Sequence, residues 1–140
     1  MTTSIDTNVL AALWNPADAI GDTALKLLGD ARRRGALVIA APVYGELMAG
    51  PLRTEAAIDQ FLNDTEIEVD WRYGEELWRK AGRAFQSYVQ RRRSSKGAFS
   101  RRILTDFLVG AHALHHGYTL LTLDKRLYAA AFPRLRIIAA

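Results

Sequence analysis

The sequence predicts an α/β fold, a three-layer α/β/α sandwich around a mainly parallel central sheet. Segments with helical spacing of apolar residues alternate with short strand segments. The strand at 37–42 is apolar without interruption, which is typical of a strand covered by helices on both faces. The chain has 140 residues, 49% hydrophobic and 24% charged. That size and composition fit one domain, so we expect residues 1–140 to form a single domain.

Each element has its own local signal. The predicted strands are a first strand ending at Ile5 and residues 37–42, 66–69, 118–123 and 135–138. The predicted helices are residues 17–34, 43–50, 55–62, 73–91, 104–114 and 125–131. Gly35 and Gly117 stand where helices must stop, and Pro42 suits the first turn of a helix. The alternation of strand and helix therefore holds along the whole chain.

Composition excludes some classes of site and favours others. The chain has no cysteine, so disulfides and thiolate metal sites are excluded and any metal must be held by oxygen or imidazole ligands. A net charge of +4 and a pI near 9.7 make a polyanionic partner plausible. No stretch has the length of a membrane helix or the layout of a signal peptide, so we expect a cytoplasmic protein with no membrane association.

Four acids lie near strand ends or helix starts. Asp6 follows the first strand, Asp124 follows the strand at 118–123, and Glu46 lies on the helix after the strand at 37–42. Asp106 opens the helix that leads into the strand at 118–123. Sites in parallel α/β sheets form beyond the carboxyl ends of the strands, so one fold can gather these four carboxylates into one pocket.

Gathering carboxylates has an energetic cost that indicates their purpose. Like charges a few ångströms apart repel by several kcal/mol at an effective dielectric constant near ~20, so the cluster must take up protons or bind cations. Mg²⁺, or Mn²⁺ with the same ligands, is the natural counter-charge. Such an ion can activate water for attack on a phosphodiester. Each acid also has a simpler interpretation, as a helix cap, a first-turn acid or a solvated side chain.

Four segments carry a family resemblance when taken together and in order. They are SIDTNVL, APVYGEL, LTDFLVGAHALHHG and YTLLTLDKRLY. This pattern resembles the PIN-domain ribonucleases, in particular the VapC-type toxins of bacterial toxin–antitoxin pairs. The resemblance implies a PIN-like fold and a metal-dependent endoribonuclease. It places the acidic site at Asp6, Glu46, Asp106 and Asp124.

The same resemblance implies roles for neighbouring residues and partners. The implied metal ligands are Asp6, Asp106 and Asp124. The implied orienting groups, which would fix carboxylates and water by hydrogen bonds, are Thr7, Asn8 and Thr122. The implied partners are an RNA substrate, a cognate antitoxin protein that blocks the site, and a second copy of the chain in a homodimer.

A basic segment precedes the helix of Asp106. Residues 79–102 contain no acid, and the stretch from 91 to 102 has the Ser and Gly content of a loop. The RNA-binding residues predicted there are Arg91, Arg92, Arg93, Lys96, Arg101 and Arg102. Phe99 is available to stack on an unpaired base. The alternatives are a solvated basic face or a surface that meets an acidic protein.

Three histidines, His112, His115 and His116, lie on the same predicted helix as Asp106. Their spacing allows a pair to share a metal, but a zinc site adds a third protein ligand and the sequence indicates none. We therefore interpret them as a polar helix face that runs to Gly117.

The resulting hypothesis is an Mg²⁺- or Mn²⁺-dependent endoribonuclease, the toxin half of a pair. The alternative is a non-catalytic RNA- or protein-binding domain on a PIN-like fold, acting through residues 79–102. A third interpretation makes Asp6 the nucleophile of a haloacid-dehalogenase-like phosphatase. That chemistry expects a second Asp two residues later, where this chain has Asn8.

Overall fold

The computed structural model describes residues 1–14, 19–50, 53–94 and 103–139, except for the side chains of 93, 94 and 103. It confirms the predicted fold class, because five parallel strands form one sheet flanked by helices. The strands are β1 (Thr3–Ile5), β2 (Leu37–Ala40), β3 (Ile67–Asp70), β4 (Thr119–Thr122) and β5 (Ile137–Ala139). The helices are α1 (Thr7–Leu13), α2 (Ile20–Arg34), α3 (Ala41–Met48), α4 (Glu55–Asp64), α5 (Glu75–Ser94), α6 (Ile103–His116) and α7 (Lys125–Ala131).

The strand order is β3-β2-β1-β4-β5, and every pairing is parallel. The chain builds outward from β1 to β3, returns across the sheet through α5 and α6, and continues outward from β4 to β5. Because parallel crossovers are right-handed, the two directions place their helices on opposite faces. Helix α1 packs on α2 and α3, while α5 packs on α6 and α7. The direction reverses between β1 and β4, which is where ligands bind in such sheets.

The central strand β1 is less apolar than its position suggests. Thr3 and Ser4 are fully buried beside Ile5, and Ser4 is in register with Val38 of β2 and Leu120 of β4. The strand has hydrogen-bonded neighbours on both sides, so the backbone pairing holds these polar residues in the core. The hydroxyls of Thr3 and Ser4 have no hydrogen-bond partner among the described residues.

Most predicted boundaries shift by one to three residues, and two shifts have clear causes. Strand β2 ends at Ala40 because α3 begins at Ala41, with Pro42 in its first turn. Helix α5 continues to Ser94 because the arginines at 91–93 are good helix formers. The prediction of a loop was therefore wrong for residues 92–94, while Arg91 lies in the helix, as the predicted range of 73–91 has it. The rest of that loop, with Phe99, lies outside the described residues.

Aromatic rings join the three helices on the Asp106 side of the sheet. The ring of Phe107 on α6 stacks on Phe85 of α5 at 5.1 Å and contacts Tyr88 at 5.5 Å and Phe132 at 6.1 Å between centroids. Phe85 and Tyr88, three residues apart on α5, thus both contact the aromatic core. Offset ring pairs of this kind each contribute about 0.5–1.5 kcal/mol beyond the area they bury.

Among the described residues, no helix is both long enough and apolar enough to cross a bilayer.

Two glycines in helices give opposite predictions for stability. A Cβ at Gly110 of α6 would overlap the ring of buried Phe132, whereas a Cβ at Gly82 of α5 would meet no atom within 4 Å. We expect Gly110→Ala to lower the free energy of unfolding by ~1–3 kcal/mol through overpacking. Gly82→Ala should raise it by ~0.5–1 kcal/mol, because alanine loses less backbone entropy in a helix.

Urea denaturation of the two variants beside the parent protein measures both effects. A Gly110→Ala variant as stable as the Gly82→Ala variant would contradict the close packing of Phe132 on α6.

Candidate active site

Asp6 connects β1 to α1 and is 3% exposed. Its Oδ1 accepts the backbone N–H of Thr7 at 2.8 Å, so the residue does cap the helix. Its Oδ2 accepts the hydroxyl of Thr122 at 2.8 Å, from the end of β4. Burial raises the pKa of Asp6, although the hydrogen bonds favour the ionised form. Asp6 is therefore a buried, oriented carboxylate as well as a cap.

Thr122 joins two segments that are far apart in sequence. Its fully buried hydroxyl donates to Asp6 and accepts the backbone N–H of Asp124 at 2.9 Å. The side-chain amide of Asn8 lies 3.4 Å from the same hydroxyl, and its Oδ1 accepts the N–H of Leu123 at 3.1 Å. Since the acceptor positions of the hydroxyl face N–H groups, its proton is directed to Asp6.

Glu46 reaches the same region from α3. Its Oε1 accepts the hydroxyl of Thr7 at 2.6 Å, and its charge contributes to raising the pKa of Asp6. Thr7 thus contacts two of the predicted acids, Asp6 through its backbone and Glu46 through its side chain. The three predicted orienting residues all form hydrogen bonds of the kind that such a role requires.

Asp106 lies in the first turn of α6, half-buried beside α7. The hydroxyl of Tyr128 lies 3.4 Å from its Oδ1. Burial raises the pKa of Asp106 from its ordinary value of 3.8 to about 7, and the charges of the other three acids add to this effect. The structure therefore brings Asp106 within electrostatic range of Asp6, Glu46 and Asp124.

Asp124 precedes α7 and is exposed. Its side chain makes no capping hydrogen bond to α7, although its position at the helix start would allow one. The simple interpretation of Asp124 as a helix cap is therefore wrong within the described structure. Its carboxylate lines a cleft of about 520 Å³ together with Asp106.

The cleft also has a basic wall. Arg92 of α5 and Arg126 of α7 line the same cleft as the two acids, together with Tyr88 of α5. The guanidinium of Arg92 donates to the hydroxyl of Tyr88 at 2.8 Å and stacks over its ring. Acids that attract cations and arginines that attract phosphate therefore meet in one opening.

The structure describes only some of the predicted RNA-binding residues. Arg91 and Arg92 lie on the last turns of α5, and Arg92 reaches the cleft. The side chain of Arg93 and all of Lys96, Arg101 and Arg102 lie outside the described residues.

Sequence reasoning missed Tyr128 and Arg126. Tyr128 is 1% exposed, and its pKa is raised first by burial and then by the charges of Asp6 and Asp106. Both residues follow Asp124 within one turn of α7. The available signal was their position in a helix that begins at a predicted site residue.

The interpretation of the histidines as a polar helix face was wrong for His112. His112 is fully buried, whereas His115 and His116 are exposed. The reason is that His112 is one turn before His116 on the side of α6 that meets the end of β3, where its Nε2 lies 2.9 Å from Asp70.

The donor set of the four acids suits a hard cation. Carboxylate oxygens are the ligands that Mg²⁺ and Mn²⁺ prefer, and an ion between Asp6, Asp106 and Asp124 would offset the repulsion that raises the pKa of Asp106. The chemistry of these carboxylates therefore suits a divalent ion, and the arginines of the cleft suit a phosphate diester.

Comparisons with known proteins identify one family and one fold. The family model of the PIN domain matches residues 4–133. This chain is similar to the solved structure of VapBC2 from Rickettsia felis bound to a promoter DNA fragment, with a TM-score of 0.67 and 18% sequence identity. The match covers 100% of this chain and 99% of that chain. The structure of VapBC-1 from nontypeable Haemophilus influenzae is similar with a TM-score of 0.68 and 18% sequence identity, and the match covers 99% of this chain and 98% of that chain.

VapC20 from Mycobacterium tuberculosis, a sarcin-ricin loop cleaving toxin, gives a TM-score of 0.62 and 24% identity, covering 96% of this chain and 98% of that chain. A comparison with curated protein sequences finds no match. At these identities the structural likeness concerns the fold, while the family model spans nearly all the described elements. The chain belongs to the PIN domain family.

Proposed function

We propose that this protein is an Mg²⁺- or Mn²⁺-dependent endoribonuclease and the toxin component of a toxin–antitoxin pair. The observation that carries the proposal is the cluster of Asp6, Glu46, Asp106 and Asp124 at the switch point of the sheet, with the pKa of Asp106 raised to about 7. A cluster that must bind protons or cations, beside an arginine-lined cleft, suits metal-assisted hydrolysis of a polyanion.

Within this proposal, Asp6, Asp106 and Asp124 hold the ion. When bound, the ion supplies positive charge that activates water and stabilises the leaving oxygen of the phosphodiester. Thr122 and the Thr7 backbone N–H hold the carboxylate of Asp6 in one orientation. Glu46, held through Oε1 by the hydroxyl of Thr7, keeps Oε2 available to accept a proton from water.

The RNA backbone would lie in the cleft of Asp106 and Asp124. Arg92 and Arg126 line that cleft and carry donors that pair with phosphate oxygens in bidentate fashion. Arg91, on the same turn of α5 as Arg92, extends the basic surface. Arg93, Lys96, Arg101 and Arg102 would add further phosphate contacts.

The structural neighbours support the partner part of the proposal. VapBC2 and VapBC-1 are toxin–antitoxin complexes by their names, and each is similar to this chain over nearly its whole length. We propose that a cognate antitoxin binds this protein and blocks the acidic site. We further propose that the protein forms a homodimer and acts on RNA in the cytoplasm.

The first prediction concerns the acids. Asp106→Asn and Asp6→Asn should each reduce Mn²⁺-dependent RNA cleavage by more than ~100-fold, since loss of a mere outer-shell partner costs ~10–100-fold. Purified protein is incubated with total RNA and Mn²⁺ or Mg²⁺, and product ends are mapped. Asp22→Asn, an exposed acid in the first turn of α2, is the control and should cleave normally.

Cleavage that persists in both site variants would overturn the acid-cluster mechanism. RNA binding that survives EDTA and Asp106→Asn, but not joint Arg91→Gln, Arg92→Gln and Arg93→Gln substitution, would instead favour the non-catalytic binding domain. Thermal unfolding of each variant shows whether the fold is intact.

A further prediction concerns the hydrogen bond by which Thr122 orients the carboxylate of Asp6. Thr122→Val keeps the shape of a buried side chain but removes the hydroxyl that holds Asp6. We expect cleavage to fall by ~10–100-fold. Thr119→Val, at the other end of β4, removes a buried hydroxyl whose one hydrogen bond among the described residues is to the sulfur of Met1, and it should leave cleavage unchanged. Equal activity in the two variants would contradict the orienting role of Thr122.

The third prediction concerns pH. Asp106 keeps its proton in the folded protein up to a pKa of about 7, whereas its ordinary value in the unfolded chain is 3.8. Between these values the folded state binds more protons, so the stabilising contribution is complete below pH ~4 and is lost as pH rises through ~7. In EDTA, the melting temperature of the parent should therefore fall between pH 5 and 8 relative to that of Asp106→Asn.

Mn²⁺ replaces the lost proton, so adding it at pH 8 should raise the melting temperature of the parent more than that of the variant. Parallel pH profiles for the two proteins in EDTA would mean that Asp106 does not titrate in this range.

A further inference from the structure

A second group of metal-ligating side chains lies away from the four acids. Asp70 ends β3, and His112 and His116 lie one turn apart on α6. Oδ2 of Asp70 is 2.9 Å from Nε2 of His112 and 3.7 Å from Nε2 of His116, and three donor atoms of the group lie within 4.8 Å of one another. His112 is six residues after Asp106, about 9 Å further along the helix axis.

The carboxylate of Asp70 is already oriented for this group. Its Oδ1 accepts the backbone N–H of Arg72 at 3.1 Å, while the Arg72 side chain lies 3.4 Å away. Oδ2 is left to face the histidines. Burial alone would raise the pKa of Asp70, but hydrogen bonds from His112 and Arg72 lower it overall.

Aromatic contacts fix both imidazole rings. Tyr73 stacks on His112 with 5.5 Å between centroids, and its hydroxyl donates to the carbonyl of Leu108 at 2.7 Å. Tyr118 stacks on His116 at 5.3 Å. Burial and the neighbouring His112 lower the pKa of His116. The His116 side chain is 31% exposed, so an ion can enter from solvent.

We propose that Asp70, His112 and His116 bind a transition-metal dication of the Zn²⁺ class, at a site separate from the four carboxylates. A tetrahedral ion with bonds of ~2.0–2.1 Å separates its ligand atoms by roughly 3.3 Å. The two distances from Asp70, 2.9 and 3.7 Å, lie on either side of that value. Two imidazoles and one carboxylate favour Zn²⁺ over Mg²⁺, and the fourth coordination position of a tetrahedral ion would take water or a ligand.

The competing explanation is a buried hydrogen bond between His112 and Asp70 with no metal. Metal binding through Nε2 places the ring proton of His112 on Nδ1, which has no partner among the described residues, and this lowers the affinity of the site. The exposed ligand His116 separates the two explanations, because it is needed for the metal site but not for the hydrogen bond of His112.

The test uses the full chain stripped of metal. Zn²⁺ binding is measured by calorimetry, and Co²⁺ by the strong visible absorption of a low-coordinate site with nitrogen ligands. The variants are His116→Ala and Asp70→Asn. The matched controls are His115→Ala, the exposed neighbour whose Nδ1 lies 3.1 Å from Nζ of Lys80, and Asp106→Asn, which removes a ligand of the other site.

We expect one tightly bound equivalent of Zn²⁺ in the parent and both controls, apart from weaker binding at the four acids. The affinity for that tight equivalent should fall by more than ~100-fold in His116→Ala and Asp70→Asn. Zn²⁺ at 100 times Kd should also raise the melting temperature of the parent by about 5–10 °C, and not that of His116→Ala. Equal binding by the parent and His116→Ala would overturn the site. Loss in His115→Ala would assign binding to a surface histidine, and loss in Asp106→Asn would assign it to the four acids.

Discussion

Repulsion among four carboxylates at one edge of a parallel sheet is the constraint on which the rest of this structure depends. Each acid comes from a different strand end or helix start, and burial strengthens the repulsion between them. Hydroxyl and backbone N–H donors around the acids hold the charged groups in place. The hydroxyl of Thr122 fastens the end of β4 to Asp6, and the hydroxyl of Thr7 fastens α1 to Glu46. The bond between Thr122 and Asp6 also connects the two halves of the sheet, because it joins the end of β4 to the end of β1.

Much of the fold could be predicted because its signals are local. Helix α7 has the predicted bounds, and Gly117 ends α6 with a positive φ of 70°, as its position indicated. The polar start of β1 was the misleading signal, since Thr3 and Ser4 occupy the centre of the sheet. Backbone pairing on both sides decided the outcome there, and pairing is a property of the whole sheet that no local window contains.

The candidate site was predictable only in outline. The positions of the strand ends and the order of the motifs indicated the four acids. Tyr128 belongs to the site because α7 packs close to Asp6 and Asp106, and its burial there depends on tertiary packing that the sequence does not show. The histidines show the same limit more sharply. Their spacing suggested a metal, yet the carboxylate that completes the group is Asp70, 42 residues from His112 and on another element. Contacts between distant segments are set by topology rather than by spacing.

The position of β4 has a consequence for the order of events during synthesis. Asp6 is made first, yet its Oδ2 partner is Thr122, and the backbone N–H of Asp6 bonds to the carbonyl of Leu121. A ribosome-bound chain that stops before β4 therefore has β1 as an open edge and lacks both Thr122 and Asp124, although Glu46 and Asp106 have already been made. The complete acidic cluster, with Asp6 held by Thr122, is a late product of translation.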